Sequence, residues 1–267
     1  MGQKQPRIFV IAVLLQTLML GCVPESEERD TTPPTAPVLK SRSVDSLYAE
    51  TGIRPEAGTD AQSYWIRLEW YRNLEGDLAG YLVYRRGEYD AEFPQTPIVN
   101  LILGQNLSPS IDPYFVDLDW RNLQPNDTSG DSRGYRYAVR AYDQSGNYSD
   151  FSRTAYYRLI NNPRDLAVSN PSSGQYFLQW SFESGPEVFF DYFMIRIWDE
   201  ETGEPMWWLK YTEFSSTHSV LLNVNGSSQS FVAGRSYVWK LNVVANSNPP
   251  ERSPAGSAVK TSFIYRG

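Results

Sequence analysis

The feature that most constrains the fold of this chain is a set of three short alternating runs that occurs twice, in the same order. In each copy a Trp ends the first run, and a Tyr follows 11 or 12 residues later, near the start of the second. The third run reads Tyr-x-aromatic-x-aliphatic in both copies. Alternation of apolar with polar residues is typical of a strand with one buried face. The six runs cover residues 64–70, 80–84, 135–141, 175–180, 191–197 and 237–243.

Turn-forming residues separate these runs and complete an all-β pattern. Outside the N-terminal segment, the sequence shows no convincing 3.6-residue period over ten or more residues. Aromatic residues make up 14% of the chain, enough for a substantial core. Many short strands at this spacing predict β-sandwich architecture. The turn segments are residues 73–77, 145–147, 170–174, 201–203 and 225–226.

Several of these landmarks resemble fibronectin type III domains. They are a Pro-rich lead-in (Pro33, Pro34, Pro37), a Trp closing strand B (Trp70, Trp180), a Tyr opening strand F (Tyr135, Tyr237), and segments 81–85, 115–117 and 141–149. The resemblance implies an all-β chain with two tandem immunoglobulin-like sandwiches, residues 38–159 and 160–267, divided at the turn signal of residues 159–163. The aromatic residues expected in the structural core are Trp70, Tyr81, Tyr135, Trp180, Tyr192 and Tyr237.

Two departures from that family pattern stand out. Residues 85–114 form an unusually long connection after the second run of the first copy. About six extra residues separate Pro125 from Tyr135, where the family has a tight corner whose Tyr bonds back to the main chain. The second copy keeps this corner better, so we expect the corner bond of Tyr237 more firmly than that of Tyr135.

The N-terminal segment has the organisation of an export signal. Lys4 and Arg7 precede an apolar run over residues 8–20, which is shorter than the ~20 residues that span a bilayer. Residues 18–22 then resemble a bacterial lipobox, although Met19 stands where that family usually has Leu. The resemblance implies a signal peptide of residues 1–21 and a diacylglycerol-modified, acylated Cys22, which is the only cysteine in the chain.

The same resemblance predicts where the protein resides. Residues 22–37 are charged and Pro-rich, as expected of a flexible tether. Val23 follows the cysteine, where an Asp favours inner-membrane retention in enteric bacteria, so we expect the outer membrane of the bacterial cell envelope.

The net charge of −7 and pI of about 4.9 argue against nucleic acid as a partner. Membrane attachment is therefore expected through the acyl group on Cys22.

Residues for catalysis or metal binding are sparse. The single histidine, His218, has no partner at ligand spacing and is expected on an exposed strand or loop. The carboxylate groups Asp117/Asp119, Asp127/Asp131 and 199–201 lie in or beside turns without calcium-loop spacing, so we expect solvated surface. The sequence predicts no enzyme, no cofactor and no metal.

One segment of the second copy is a candidate ligand-binding surface. Trp207 and Trp208 are adjacent, so a strand must point them to opposite faces. Tyr211 shares a face with Trp207, which predicts an exposed Trp207–Tyr211 pair and a buried Trp208. The alternative is that both rings pack against a neighbouring strand or domain.

These observations predict a membrane-anchored envelope lipoprotein that acts as a non-catalytic binding or scaffold protein for another envelope protein or a polysaccharide. Two alternatives stay open. One is an accessory component of a carbohydrate-degrading system, and the other is a structural spacer without a specific ligand.

Substitution of Cys22 tests the anchoring. Cys22→Ser removes the thiol that would be acylated, so we expect an unprocessed precursor that lacks lipid. Mass spectrometry of the wild-type protein should show a mature chain beginning at an acylated Cys22. A wild-type N-terminus at another residue, without lipid, would contradict the prediction.

Overall fold

The structure, a computed structural model, describes residues 30–43, 50–119, 121–125, 133–172, 174–183, 188–222, 229–247 and 254–267. The predicted signal peptide, Cys22 and the tether up to residue 29 lie outside the described residues. Within the described ranges, all regular secondary structure is β-strand. No helix in this part of the chain is long and apolar enough to cross a membrane.

Fifteen strands follow one another along the chain. The first eight are β1 (Val38–Leu39), β2 (Arg54–Glu56), β3 (Trp65–Tyr71), β4 (Leu78–Gly87), β5 (Val99–Ile102), β6 (Tyr114–Asp117), β7 (Gly134–Asp143) and β8 (Ala155–Leu159). The remaining seven are β9 (Arg164–Ser172), β10 (Gln175–Ser181), β11 (Val188–Asp199), β12 (Pro205–Tyr211), β13 (Thr217–Leu222), β14 (Ser236–Ser247) and β15 (Pro254–Ile264).

The first eight strands form one sandwich. In one layer β3 pairs with β1, β2 and β6, and in the other the strand order is β5-β4-β7-β8. The alternation along β3 explains why this layer packs on the other. Its residues are in turn buried and partly exposed, and Ile66, Leu68 and Trp70 point towards the facing layer. Trp70 meets Tyr81 of the facing layer edge-to-face, with ring centroids 5.4 Å apart.

The second sandwich repeats this plan. One layer has the order β13-β10-β9, and the facing strands have the order β12-β11-β14-β15. Trp180 of β10 is buried and packs edge-to-face against Phe193 of β11, with ring centroids 5.2 Å apart. The chain is thus all-β and contains two tandem sandwiches.

Both strand F tyrosines form the corner hydrogen bond. The Tyr237 hydroxyl accepts from the backbone N–H of Val232 at 2.8 Å. The Tyr135 hydroxyl accepts from Gln124 N–H at 2.8 Å and lies 2.8 Å from the carbonyl oxygen of Asn122. The extra residues in the first copy therefore leave the corner bond of Tyr135 intact.

Tyr192 is buried, but it does not lie in the sandwich core. It belongs to a small separate cluster with Met194 and Val244, whereas its neighbour Phe193 lies in the core. The reason is alternation along β11: Phe193, Ile195 and Ile197 face the core, so Tyr192 and Met194 face the other side of the sheet. Phe193 takes the structural place of Tyr81, and the expected burial of Tyr192 is confirmed, in a hydrophobic cluster on the outer face of the sheet.

The two sandwiches share one continuous sheet. Strand β15 pairs in parallel with β8, with Ala255 opposite Arg158 and Gly256 opposite Leu159. This pairing gives an eight-stranded sheet in the order β12-β11-β14-β15-β8-β7-β4-β5. A side chain at Gly256 would place its Cβ 2.3 Å from the Val243 carbonyl oxygen and 2.4 Å from the Tyr157 hydroxyl. The close approach of the two halves therefore requires glycine at this position.

The hydrophobic cores remain separate although the sheet is continuous. One core cluster runs from Ile53 to Leu159 and the other from Ile160 to Val259. The division of the cores coincides with the predicted boundary, whereas main-chain hydrogen bonds cross it. The division of the chain into two domains at residues 159–163 stays a prediction.

A buried ion cluster adds a second link between the halves. Arg196 and Lys240 lie directly opposite each other on the outer face of β11 and β14, an unfavourable arrangement for like charges. Glu50 of the first half binds both: its carboxylate lies 3.3 Å from Arg196 Nη1 and also bonds Lys240 Nζ. Asn242 Nδ2 donates to the same carboxylate at 3.1 Å. Burial raises the pKa of Glu50, but Lys240 and Arg196 together hold it below its ordinary value.

Substitution Glu50→Gln tests this link. It leaves Arg196 and Lys240 facing each other without their carboxylate, so we expect a loss of about 3–5 kcal/mol in the free energy of unfolding at pH 7. Because the folded pKa of Glu50 lies below the unfolded value of ~4.3, its stabilisation is present above that pH and is lost as the pH falls through the folded pKa.

The measurement is urea unfolding of the full chain at pH 7. The matched control is Glu201→Gln, because the Glu201 side chain is 76% exposed and its ion pair with Arg235 is long, at 3.6 Å. We expect that control to change stability by about 0.5 kcal/mol or less. Equal unfolding midpoints for Glu50→Gln and Glu201→Gln would contradict the predicted role of Glu50.

Candidate functional site

The structure reverses the predicted faces of the adjacent tryptophans. Trp207 is 7% exposed, whereas Trp208 is 43% exposed. Trp207 and Tyr211 do share a face, as expected, but that face is the core face. Trp207 pairs with Ile197 and Tyr211 with Phe193, both core residues of β11. The predicted exposed Trp207–Tyr211 patch is therefore wrong.

Strand pairing explains the reversal. Phe193, Ile195 and Ile197 lie on the core face of β11. Their direct partners on β12 lie on the same face of the sheet and therefore also point to the core. A register shift between Ile197 and Trp198 accommodates Met206, which is also buried. Tyr211 is half-buried, and its hydroxyl donates to Glu213 Oε2 at 3.0 Å. The exposed ring of this strand is Trp208, opposite Arg196.

His218 lies inside the second sandwich, contrary to the expectation of an exposed residue. It sits on β13 directly opposite Trp180 and stacks on that ring, with centroids 4.7 Å apart and planes 12° apart. Phe193 packs against its edge at 4.7 Å. Burial lowers the pKa of the imidazole, so His218 is neutral at pH 7. Its ring contacts are those of a packed core residue.

The carboxylate pair Asp117/Asp119 is occupied by structural contacts rather than solvated. Arg85 binds both groups, with Nη1 2.6 Å from Asp117 Oδ2 and Nη2 2.9 Å from Asp119 Oδ2. The Tyr137 hydroxyl also donates to Asp117, at 2.8 Å. Hydrogen bonds from Asn122 and Arg85 lower the pKa of Asp119. The pair is therefore committed to binding Arg85 across the sandwich.

Of the other predicted carboxylates in the described part of the chain, Asp199 is also engaged in structural contacts. Asp199 accepts the backbone N–H groups of Glu201 and Thr202, each at 3.0 Å, and binds Arg235 at 2.8 Å. It stabilises the turn between β11 and β12, and these hydrogen bonds keep its pKa low. Asp127 and Asp131 lie outside the described residues.

A second exposed aromatic surface lies on the first sandwich. It is formed by residues 148–152, which follow β7 and are hydrogen-bonded to that strand. Ser149 Oγ accepts from Ala141 N–H at 2.9 Å, and Ser152 Oγ accepts from Val139 N–H at 3.0 Å. Both serines are buried. Their hydrogen bonds fix the segment so that the rings of Tyr148 and Phe151 remain 50% and 42% exposed.

Three arginines on the outer face of β4 and β7 stack on aromatic rings. The guanidinium of Arg86 lies 5.1 Å from the Phe93 ring centroid, and that of Arg136 lies 4.9 Å from Tyr156. Arg140 lies 5.5 Å from Tyr148 and 5.1 Å from Phe151. Within the described residues, none of these arginines forms an ion pair with a carboxylate. We call these three arginines with Phe93, Tyr148 and Phe151 the arginine–aromatic face.

Sequence reasoning did not single out this face. Arg136 and Arg140 occupy polar positions of the alternating run 135–141, which the pattern assigns to solvent, and Arg86 lies just after the run 80–84. The usable signal is their chemistry, since the three arginines lie on β4 and β7 beside the aromatic-rich segment after β7. Register was needed to bring them together, because Arg86 and Arg136 are 50 residues apart in sequence and directly opposite in the sheet.

Comparisons with known proteins give little beyond architecture. No family model matches the chain, and no curated protein sequence matches it. Among solved structures, the FN1–FN3 domains of chicken CNTN1 are similar at 16% identity and a TM-score of 0.34, over 88% of this chain and 69% of that chain. A likeness at this level carries no functional argument, and the description as two sandwiches follows from the strand order and packing given above.

Alanine substitution of the two tryptophans tests their assignment. Trp207→Ala empties a core position, so we expect a loss of about 3–5 kcal/mol in the free energy of unfolding. Trp208→Ala removes a ring that is 43% exposed, and we expect a loss of about 1 kcal/mol or less. Urea unfolding measures both variants under one condition. A larger loss for Trp208→Ala than for Trp207→Ala would contradict the structure.

Proposed function

We propose that this chain is a lipoprotein of the bacterial cell envelope, held in the outer membrane by an acylated Cys22, that binds another envelope protein or a polysaccharide and catalyses no reaction. The observation that carries the proposal is that the described candidate carboxylates are bonded within the fold, whereas aromatic rings are exposed at the surface. Asp117, Asp119 and Asp199 are engaged in structural bonds, whereas Trp208 and the rings of Tyr148 and Phe151 on the arginine–aromatic face are exposed.

The inventory of described side chains supports binding over catalysis. His218 has three rings as its close neighbours, namely Trp180, Phe193 and Tyr211, and the one hydroxyl among them, that of Tyr211, is bonded to Glu213 at 3.0 Å. General acid–base chemistry by two carboxylates needs groups whose environments separate their pKa values and leave them open to substrate. Arg85 instead binds both Asp117 and Asp119.

The continuous sheet supports a scaffold role. Parallel pairing of β8 with β15 and the Glu50 cluster fix the two sandwiches in one arrangement. Two exposed surfaces on such a support keep a constant separation. When a partner binds both surfaces, the scaffold therefore loses little conformational freedom. The acidic net charge of −7 supports anchoring by lipid rather than by attraction to anionic headgroups.

Capture from native envelopes tests the proposal. The full-length, affinity-tagged lipoprotein is cross-linked in intact cells, and the purified material is analysed for proteins and for sugars. We expect a specific protein or glycan that an unrelated tagged lipoprotein of the same membrane does not capture. The same experiment with Cys22→Ser should lose the partner, because the protein no longer reaches it.

Recovery of the same material with both the wild-type chain and the unrelated lipoprotein would contradict a binding function and favour a structural spacer. Hydrolysis of a captured glycan by the purified chain would contradict the non-catalytic assignment.

A further inference from the structure

The arginine–aromatic face differs from the corresponding face of the second sandwich in one respect. In the second sandwich the outer face of β11 and β14 carries the opposed cations Arg196 and Lys240, and the Glu50 carboxylate binds both. In the first sandwich the outer face of β4 and β7 carries the opposed cations Arg86 and Arg136. Among the described residues, no carboxylate binds these two.

Like charges directly opposite each other destabilise a strand pair unless an anion lies near them. Two acidic residues that follow Arg86 are already engaged. Glu88 binds Arg158 Nη2 at 2.7 Å and accepts from the Tyr156 hydroxyl at 2.8 Å, and the Asp90 carboxylate accepts from Gly87 N–H at 2.8 Å. Arg86 and Arg136 thus oppose each other as Arg196 and Lys240 do, but no carboxylate of the described residues takes the place of Glu50. An external carboxylate would take that place.

Arg140 extends the cationic surface along β7. It lies four residues from Arg136 on the same face, a separation of about 13 Å along a strand. Its Nε donates to the Ser149 carbonyl oxygen at 2.7 Å, which holds the guanidinium beneath the Tyr148 and Phe151 rings. Two cationic positions at this distance suit a chain with repeated carboxylates better than a single small anion.

The rings indicate which kind of anionic chain fits. Tyr148 and Phe151 are 50% and 42% exposed, and Phe93 stacks on Phe151 with centroids 5.7 Å apart. Flat, exposed rings offer large contact area at small entropic cost and suit the apolar faces of sugar rings. Guanidinium groups bind carboxylates through two parallel hydrogen bonds. Rings beside guanidiniums therefore match alternating sugar faces and carboxylates.

We propose that the arginine–aromatic face binds an acidic polysaccharide whose sugar rings carry carboxylates, through Arg86, Arg136 and Arg140 with Tyr148 and Phe151. This inference rests on the proposed binding function and names the ligand class and the surface. The carboxylates occupy the position relative to Arg86 and Arg136 that Glu50 occupies relative to Arg196 and Lys240. The sugar rings pack on Tyr148 and Phe151.

The test measures binding of the full chain, in detergent, to polygalacturonate by calorimetry. Dextran, a neutral polysaccharide, and polyglutamate, an acidic chain without sugar rings, are the comparison probes. We expect polygalacturonate to bind, with affinity falling as salt is raised, and dextran to show no binding. The double variant Arg136→Gln/Arg140→Gln should weaken binding by about tenfold or more.

Two further variants separate specific contacts from general charge. Arg266→Gln makes the same charge change at an exposed position of the second half and should leave the affinity unchanged. Arg140→Lys keeps the charge but loses the planar group, so it should weaken binding. If the double variant does not fold, Tyr148→Ala removes a half-exposed ring and should lower the affinity for polygalacturonate on its own.

Three results would overturn the inference. They are absence of polygalacturonate binding by the wild-type chain, equal affinity of the wild type and the double variant, and equal affinity for polyglutamate and polygalacturonate, which would assign the face to an acidic protein. If the double variant still captures the envelope partner of the wild type, the proposed function stands and this surface is not its site.

Discussion

The short parallel pairing of β15 with β8 is the contact on which the arrangement of the molecule depends. It joins the last strand of each sandwich edge to edge, so two four-stranded layers become one sheet of eight. The pairing covers one end of each of two sheet edges, and such edges otherwise invite association with other chains. Gly256 permits it, because any larger residue would meet the Val243 carbonyl and the Tyr157 hydroxyl. The separate cores supply stability within each half, and the shared sheet fixes their geometry.

Arginines serve two different purposes in this acidic protein. Arg85 and Arg196 are largely buried and bind carboxylates, since a buried charge without a partner is strongly unfavourable. Arg86, Arg136 and Arg140 instead lie partly exposed against aromatic rings, which support a cation without neutralising it. The first group holds the fold together. The second group leaves positive charge at a surface, and this difference distinguishes a structural ion pair from a candidate binding site.

The two halves make the same core contact with different residues. Trp70 and Trp180 occupy matching places and pack edge-to-face on a ring of the opposite layer in the same way. The partner is Tyr81 in the first half and Phe193 in the second, because Phe193 rather than Tyr192 lies on the core face of β11. Tyr192 consequently faces outward and packs with Met194 and Val244. The geometry of the core contact is retained, whereas the identity of the residue that makes it is not.

The sequence by itself determined the all-β class, the two sandwiches and the core position of Trp70 and Trp180, because period-two alternation and turn residues are local properties of the chain. The resemblance to an export signal and lipobox around Cys22 is also a property of the sequence alone, and the anchoring that it implies stays a prediction. Tertiary structure decided which face of β12 is the core face, so that Trp207 is buried and Trp208 exposed, and it placed His218 against Trp180. It likewise brought Arg86 opposite Arg136 and Glu50 between Arg196 and Lys240. Alternation says which residues share a face, but only pairing with a neighbouring strand says whether that face meets the core or the solvent.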